Sequence, residues 1–328
     1  MSSKVKVGVI GVGVLGRHHA RLYNLDDNAE VVGIYDVSAK GAAKVGDEFG
    51  LKVFDNYIDL AEKCDALSIA VPATMHYDTS MPLLEMNKHL LLEKPIASEV
   101  ADGRKLVEMA KQRELVLGVG HVERFNPAMD FLDRHSAETR FIEAHRLCQY
   151  PPARPGQHRR GTEVSVVLDL MIHDLDLILT MVDSEVERID AVGIPVLSKT
   201  DDIANVRLKF KNGTAANLTA SRVSVDPQRR FRVFLDDCYI SMDYANHEAM
   251  VLKKNRVGLS RKDISLNEKN ALADELSDFI ISVRKTIDTG KVVNPKVSGE
   301  DGQKALELAM AISDEIKTYN SRYGFKFA

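Results

Sequence analysis

The sequence predicts an α/β protein of two parts: an N-terminal doubly wound parallel sheet, then a C-terminal α+β domain on a large, mostly antiparallel sheet. Three observations carry this. Up to about residue 120, short β-branched runs alternate with helical patterns. The first strand runs into a glycine-rich turn, "GVGVLG". After about Gly120 the alternation gives way to successive strands, closed by two long helices. Apolar strands joined by crossover helices imply a parallel sheet covered on both faces. A chain of 328 residues suits two domains at roughly 150 residues each, divided here as 1–121 and 122–328.

"VKVGVI" (Val5 to Ile10) is a buried strand, followed by a helix from about Val14 to Leu25. "AEVVGIYD" is a second strand, and "SAKGAAKVGDEFG" a helix with Ser38 as N-cap and Gly50 just past its end. "KVF" is a short third strand, then come a helix near Ile58 to Lys63 and the strand "DALSIAV". A helix from about Met75 to Asn87, the strand "KHLLLEK", a helix from about Ser98 to Arg113 and the strand "ELVLGVG" complete the series. Six strands in two βαβαβ halves fit the dinucleotide-binding, or Rossmann, form of the doubly wound fold.

Gly11, Gly13 and Gly16 stand in G-x-G-x-x-G register, with Val12 and Leu15 between them. The motif is weak alone, but here it follows a strand and opens a helix. Gly11 allows the tight turn, Gly13 lets backbone approach a pyrophosphate, and Gly16 lets helix and strand pack closely. The helix N-terminus adds amide donors and the positive end of a dipole. Asp36 lies at the end of the second strand, roughly 20 residues on, where a carboxylate accepts from ribose hydroxyls and repels a 2′-phosphate. It favours NAD over NADP; the alternative is an aspartate that only caps the next helix.

In the second part, "RFIEAHRLCQY" is a strand and "YPPARPGQHRRG" a Pro/Arg loop. Alternating strands follow from Glu187 to Leu252, with "KNG" (Lys211 to Gly213) as a hairpin turn. Two helices, about Ala271 to Thr289 and Gly302 to Tyr319, end the chain. With helices on one sheet face only, the alternating "DIANVRLKF" offers Val206, Leu208 and Phe210 for burial. A homodimer or homotetramer through the C-terminal sheet is the expectation.

Composition narrows the class. The 45% hydrophobic and 28% charged content are ordinary for a globular protein, and a net charge of −4 lacks the basic surplus that nucleic acid or an anionic membrane calls for. Cys64, Cys148 and Cys238 are odd in number and widely spaced, which suits neither a disulfide framework nor a zinc site and fits a cytoplasmic protein. No metal is expected. The opening residues lack a signal peptide's apolar run, and no stretch approaches the ~18 apolar residues of a membrane span.

One stretch breaks its own pattern. "VVLDLMIHDLDLILTMV" (Val166 to Val182) is apolar yet carries Asp169, His173, Asp174 and Asp176. On a helix at about 100° per residue, His173 falls near ~40° from Asp169 and Asp176 near ~340°, so the three share a stripe. Such a polar slot suits a cleft wall. Asp169 and His173, at i and i+4, can meet, and a carboxylate beside an imidazole raises its pKa and orients it for proton transfer. The alternative is a buried pair that satisfies only itself. Asp174 projects toward the apolar side and is structural, with backbone amides as its expected donors.

These residues together resemble the Gfo/Idh/MocA oxidoreductases, NAD(P)-dependent enzymes acting mostly on sugars and polyols. "GVIGVGVLGRHHA" is similar to the family's opening, His19 included. "AVPATMHYDTSMPLLEMNKHLLLEKPIA" resembles its Pro-x-x-x-His segment (Pro72, His76) and Glu-Lys-Pro signature (Glu93, Lys94, Pro95), and "DLMIHDLDL" its Asp-x-x-x-His helix. The resemblance implies that Pro72, His76, Glu93 and Lys94 join the glycine turn and Asp36 around the cofactor. It places Lys94 near the nicotinamide and reacting hydroxyl, with His173 as general acid/base and Asp169 orienting it. From "GHVERFNPAMDFL" (Gly120 to Leu132) the chain is similar to members that oxidise the 3-hydroxyl of UDP-N-acetylglucosamine or its uronic acid. That implies substrate roles for Arg124, Asn126 and Tyr150, with Arg154, Arg159 or Arg160 meeting a diphosphate. Glu163, Val164 and Ser165 stand where the family's approach to the Asp-x-x-x-His helix commonly has glycines. The expected function is NAD-dependent oxidation of a nucleotide sugar. A free polyol or monosaccharide is the second possibility, and a non-catalytic NAD-binding regulator the third.

Overall fold

The computed structural model describes residues 4–127, 129, 139–152, 161–236, 238–244, 246, 248–256, 258–265 and 270–325. By packing, the chain forms two compact units: Met1–Phe125 with Asn270–Leu306, and Asn126–Lys269 with Glu307–Ala328. This differs from a single division at residue 121, because the chain returns to the first unit near its end.

In the first unit, β1 (Val5–Ile10), α1 (Val14–Tyr23), β2 (Ala29–Tyr35), α2 (Ala39–Phe49) and α3 (Tyr57–Glu62) form the first half. β3 (Ala66–Ile69), α4 (His76–Glu85), β4 (His89–Glu93), α5 (Val100–Gln112) and β5 (Leu117–Gly120) form the second. The parallel strands run in the order β2-β1-β3-β4-β5. Five strands, not six, make the sheet. "KVF" contributes a single bridge, Val53 to Ile34, beside the β2 edge. Gly33 leaves room there for Lys52 and Phe54: a Cβ on it would fall 2.5 Å from the Phe54 ring.

Local chemistry sets the ends as expected for α2. Ser38 accepts from the Gly41 amide at 3.2 Å, and Gly50 takes the left-handed conformation. The returning helix α7 (Ala271–Thr289) buries Leu276, Phe279, Ile280 and Val283 in one core with Val5, Val7, Val9, Ala20 and Tyr23. Each full side-chain burial of this kind contributes roughly 1.5–3 kcal/mol, which explains the return.

The second unit is built on eight strands: β6 (Thr139–Leu147), β7 (Val186–Ile194), β8 (Ile203–Phe210), β9 (Ala215–Ser221), β10 (Gln228–Leu235), β11 (Cys238–Asp243), β12 (Glu248–Asn255) and β13 (Gly258–Ser265). Their order is β13-β12-β11-β10-β6-β9-β8-β7, antiparallel except for the parallel pair β6–β9. β13 was not expected; its sequence "GLSRKDIS" has little apolar alternation. The hairpin at Gly213 (φ +88°) is as expected.

The apolar face of β8 needs no second copy. Val206, Leu208 and Phe210 are at most 1% exposed within the single chain. Gly193 of β7, on the same face by register, packs against Ile316 of the last helix, α8 (Gly299–Arg322). The other face carries Asn205 and Arg207, hydrogen-bonded across to Thr219 and Asn217. The dimer expectation therefore loses the apolar surface on which it stood. Among the described residues, no helix is long and apolar enough to cross a membrane.

Candidate active site

The three glycines of the first turn divide into two kinds. Gly11 has φ +83°, and a Cβ on it would come within 2.8 Å of the Ala70 backbone. A Cβ on Gly16 would fall on the Gly11 carbonyl oxygen, so α1 can start only against a bare backbone. Gly13 is different: a Cβ there would meet nothing within 4 Å. Its bareness serves no packing within the chain, which fits backbone reserved for close approach of a ligand. Val12 is buried and Leu15 half-buried in the same turn.

Asp36 ties this turn to the end of β2. One carboxylate oxygen accepts from the Val12 amide and the other from the Ser38 amide, each at 2.8 Å. Capping of α2 belongs to Ser38. A partly exposed carboxylate beside an open glycine at a helix N-terminus is a donor and acceptor set that fits a dinucleotide's ribose and diphosphate.

At the end of β4, Glu93 and Lys94 are half-buried, and the Lys94–Pro95 peptide is cis. His19 of α1, 1% exposed, bridges to Glu93 at 2.9 Å through Nε2 and to Ser68 Oγ at 2.7 Å through Nδ1. Burial pushes the Glu93 carboxyl up, but its bond to His19 and the charges of His19 and Lys94 outweigh that and hold it below the usual range. A depressed carboxyl stabilises the fold above its unfolded pKa of ~4.3 and loses that contribution as pH falls through the folded value. Urea unfolding should therefore show wild-type stability falling more steeply below pH 5 than that of Glu93→Gln.

His76 is buried, with Nδ1 2.8 Å from the Pro95 carbonyl and Nε2 3.0 Å from the Val71 carbonyl. Burial drives its pKa down against the pull of those two acceptors. It joins the loop beginning at exposed Pro72 to the Glu-Lys-Pro loop. The structure thus gives His76 a bracing position between the Val71 and Pro95 carbonyls.

In the second unit, Val167–Met171 form a π-helical turn that passes into α6 (Ile172–Met181). A uniform 100° step therefore does not apply. Asp169 sits within the π-turn and His173 one residue into the α-helix, both half-buried, while Asp176 is only 1% exposed and does not share their setting. π-turns inside helices concentrate at functional sites. Ser165 starts the turn: its Oγ accepts from the Val167 amide at 3.0 Å, and its carbonyl accepts from Asp169 at the same distance.

Asp174 is buried and paired with Arg146 of β6. Two bonds of 2.8 and 3.0 Å join the buried pair. Removing one partner of such a pair leaves a buried charge uncompensated. Asp174→Asn should cost about 3–5 kcal/mol in urea unfolding, whereas Arg146→Met with Asp174→Leu should come close to neutral.

Of the expected substrate residues, Arg124 is buried and directed to Asp301 (3.6 Å) and the Lys296 carbonyl (3.4 Å). Asn126 is buried and Tyr150 half-buried. Arg154, Arg159 and Arg160 lie outside the described residues.

Residues 5–121 match the family model described as "Oxidoreductase family, NAD-binding Rossmann fold", and residues 137–241 that of the "GFO/IDH/MocA C-terminal domain". A UDP-N-acetylglucosamine 3-dehydrogenase of Acidithiobacillus ferrooxidans is 34% identical over 286 residues, 85% of this chain and 88% of that protein. The chain belongs to the Gfo/Idh/MocA family. A crystal structure of that dehydrogenase superposes with a TM-score of 0.88 at 32% identity, covering 96% of this chain and 99% of the other. Myo-inositol 2-dehydrogenase of Thermotoga maritima is 26% identical over 97% of this chain and 98% of its own length. As a Gfo/Idh/MocA protein the chain is an oxidoreductase with an NAD-binding Rossmann domain, and these two relatives are named sugar and polyol dehydrogenases. The resemblance in the glycine turn, the Glu-Lys-Pro loop and the Asp-x-x-x-His helix is thus borne out as a family relationship.

Proposed function

We propose that this chain oxidises the 3-hydroxyl of a UDP-N-acetylglucosamine-type nucleotide sugar, with NAD as hydride acceptor. The observation that carries the substrate class is the 34% identity to a UDP-N-acetylglucosamine 3-dehydrogenase, spread over 85% of the chain. NAD rather than NADP follows from Asp36, whose carboxylate would face a 2′-phosphate with charge repulsion.

The chain's own groups divide the work. Gly13 and the α1 amides bind the diphosphate, and Asp36 the adenosine ribose. A bound nicotinamide dinucleotide supplies the hydride acceptor. The Lys94 ammonium stabilises the alkoxide that develops as the hydroxyl proton leaves. His173 accepts that proton at its imidazole, and Asp169 holds the ring in position.

NADH absorbance with purified protein tests this against UDP-N-acetylglucosamine, its uronate, inositol and glucose. Turnover on a nucleotide sugar alone supports the proposal. Turnover on inositol with silence on both nucleotide sugars would replace it with the polyol reading, which the inositol dehydrogenase relative favours.

A further inference from the structure

The Asp169 carboxylate lies against the backbone of Gly161, close enough that a Cβ there would overlap its Oδ2. Gly161 has φ +78°, a conformation that suits glycine. Arginine and threonine side chains fasten this backbone. Arg222, at the end of β9, is 1% exposed, and its Nη1 donates to the carbonyls of Gly161 and of Val164 (2.8 Å). Its Nη2 donates to Ser198 Oγ at 2.9 Å and Thr200 Oγ1 at 2.7 Å, and its Nε to Asp202 at 2.6 Å. Thr200 in turn donates to the Val164 carbonyl at 2.9 Å.

Asp202, fully buried, completes the fastening. It accepts from the Val196 and Ser198 amides at 2.8 Å each and from Ser198 Oγ at 2.7 Å. A buried ion pair is a poor device for stability, since apolar side chains of like volume do as well or better. What a planar guanidinium does uniquely is present several donors in fixed directions. Here two of those directions end on the segment that walls Asp169.

We propose that Arg222 is a positioning residue: clamped by Asp202, it fixes the Gly161–Val164 backbone against which the Asp169 carboxylate is set, and through Asp169 it orients His173. The catalytic part of this rests on the proposed roles of Asp169 and His173. The geometric part does not. Among the described residues, Cys148 shares its electrostatic surroundings with Asp169, Arg146, Arg222 and Arg229, and of these only Asp169 and Arg222 change in the variants below.

The test is an NMR titration of the His173 ring in the full chain, compared among wild type, Asp169→Asn, Gly161→Ala and Arg222→Lys. A carboxylate held near the ring stabilises imidazolium, so all three variants should move the His173 midpoint to lower pH while other histidines keep theirs. Gly161→Ala carries the test should Arg222→Lys fail to fold. In the same proteins kcat should fall about 100-fold for Gly161→Ala, the scale of a 1 Å misplacement. A midpoint that moves in Asp169→Asn but stays in Gly161→Ala and Arg222→Lys overturns the inference, as does one that Asp169→Asn leaves unmoved. A midpoint that moves while turnover persists upholds the positioning and refutes the catalytic reading of His173.

Discussion

Replacing His173 with alanine is expected to lower kcat about 10²- to 10⁴-fold, the range that a positioned general base contributes, with NADH affinity unchanged. The two effects separate because the residues that fit the dinucleotide, Gly13, the α1 amides and Asp36, all lie in the first packed unit, whereas His173 belongs to the second. His173 is half-buried and follows a π-turn capped by Ser165, so its loss should lower thermal stability little. The pH profile of kcat/KM assigns the proton. With His173 as acceptor, the acidic limb of the wild-type profile disappears in His173→Ala and persists, at reduced rate, in Lys94→Ala. Loss of that limb in Lys94→Ala alone would transfer the role to the lysine, and unchanged turnover in His173→Ala would remove it from the histidine.

The second large effect concerns the glycine turn. Gly13→Ala should fold with stability lowered by no more than the N-cap preference for glycine over alanine, and bind NADH about 10- to 100-fold more weakly, a loss of ~1.4–2.7 kcal/mol. Among the described residues, the added methyl meets nothing within 4 Å beyond its own chain neighbours, so a ligand is what it would obstruct. Gly16→Ala should behave in the opposite sense. Its methyl is driven onto the Gly11 carbonyl, a backbone atom that cannot swing aside. The expected result is a destabilised fold, read as a lowered Tm in the absence of any ligand. Equal loss of stability in both variants would show that Gly13 serves packing after all.

Most of the first unit was legible because its determinants are local. Ser38 and Gly50 bracket α2 by capping chemistry that needs no distant partner. The glycine register announces a turn whose steric demands come from Ala70, Val71 and the turn itself. Where reading along the chain failed, the cause was an interaction between segments remote in sequence. "KVF" has a strand's composition but makes only one bridge, since β2 offers it a short stretch beside Gly33. The apolar face of β8 is real and buried within the chain, and on the neighbouring β7 the same face packs against Ile316, more than a hundred residues later.

The aspartates of Val166–Val182 show the same division. Periodicity set Asp174 apart from Asp169 and His173, since a charge on an apolar face needs a donor. The donor, Arg146, had its own signal: it shares the buried register of β6 with Ile142 and Ala144. Pairing the two charges required knowing which strand lies against the helix. Nor could spacing reveal the π-turn over Val167–Met171, because a regular period assumes one step per residue throughout. Composition, caps and glycine register thus dictate the parallel sheet and its glycine turn, because each acts within a few residues along the chain. The buried pairs Arg222–Asp202 and Arg146–Asp174 were decided by the tertiary structure, since their charges are affordable in the interior only once folding has brought the partners within hydrogen-bond reach.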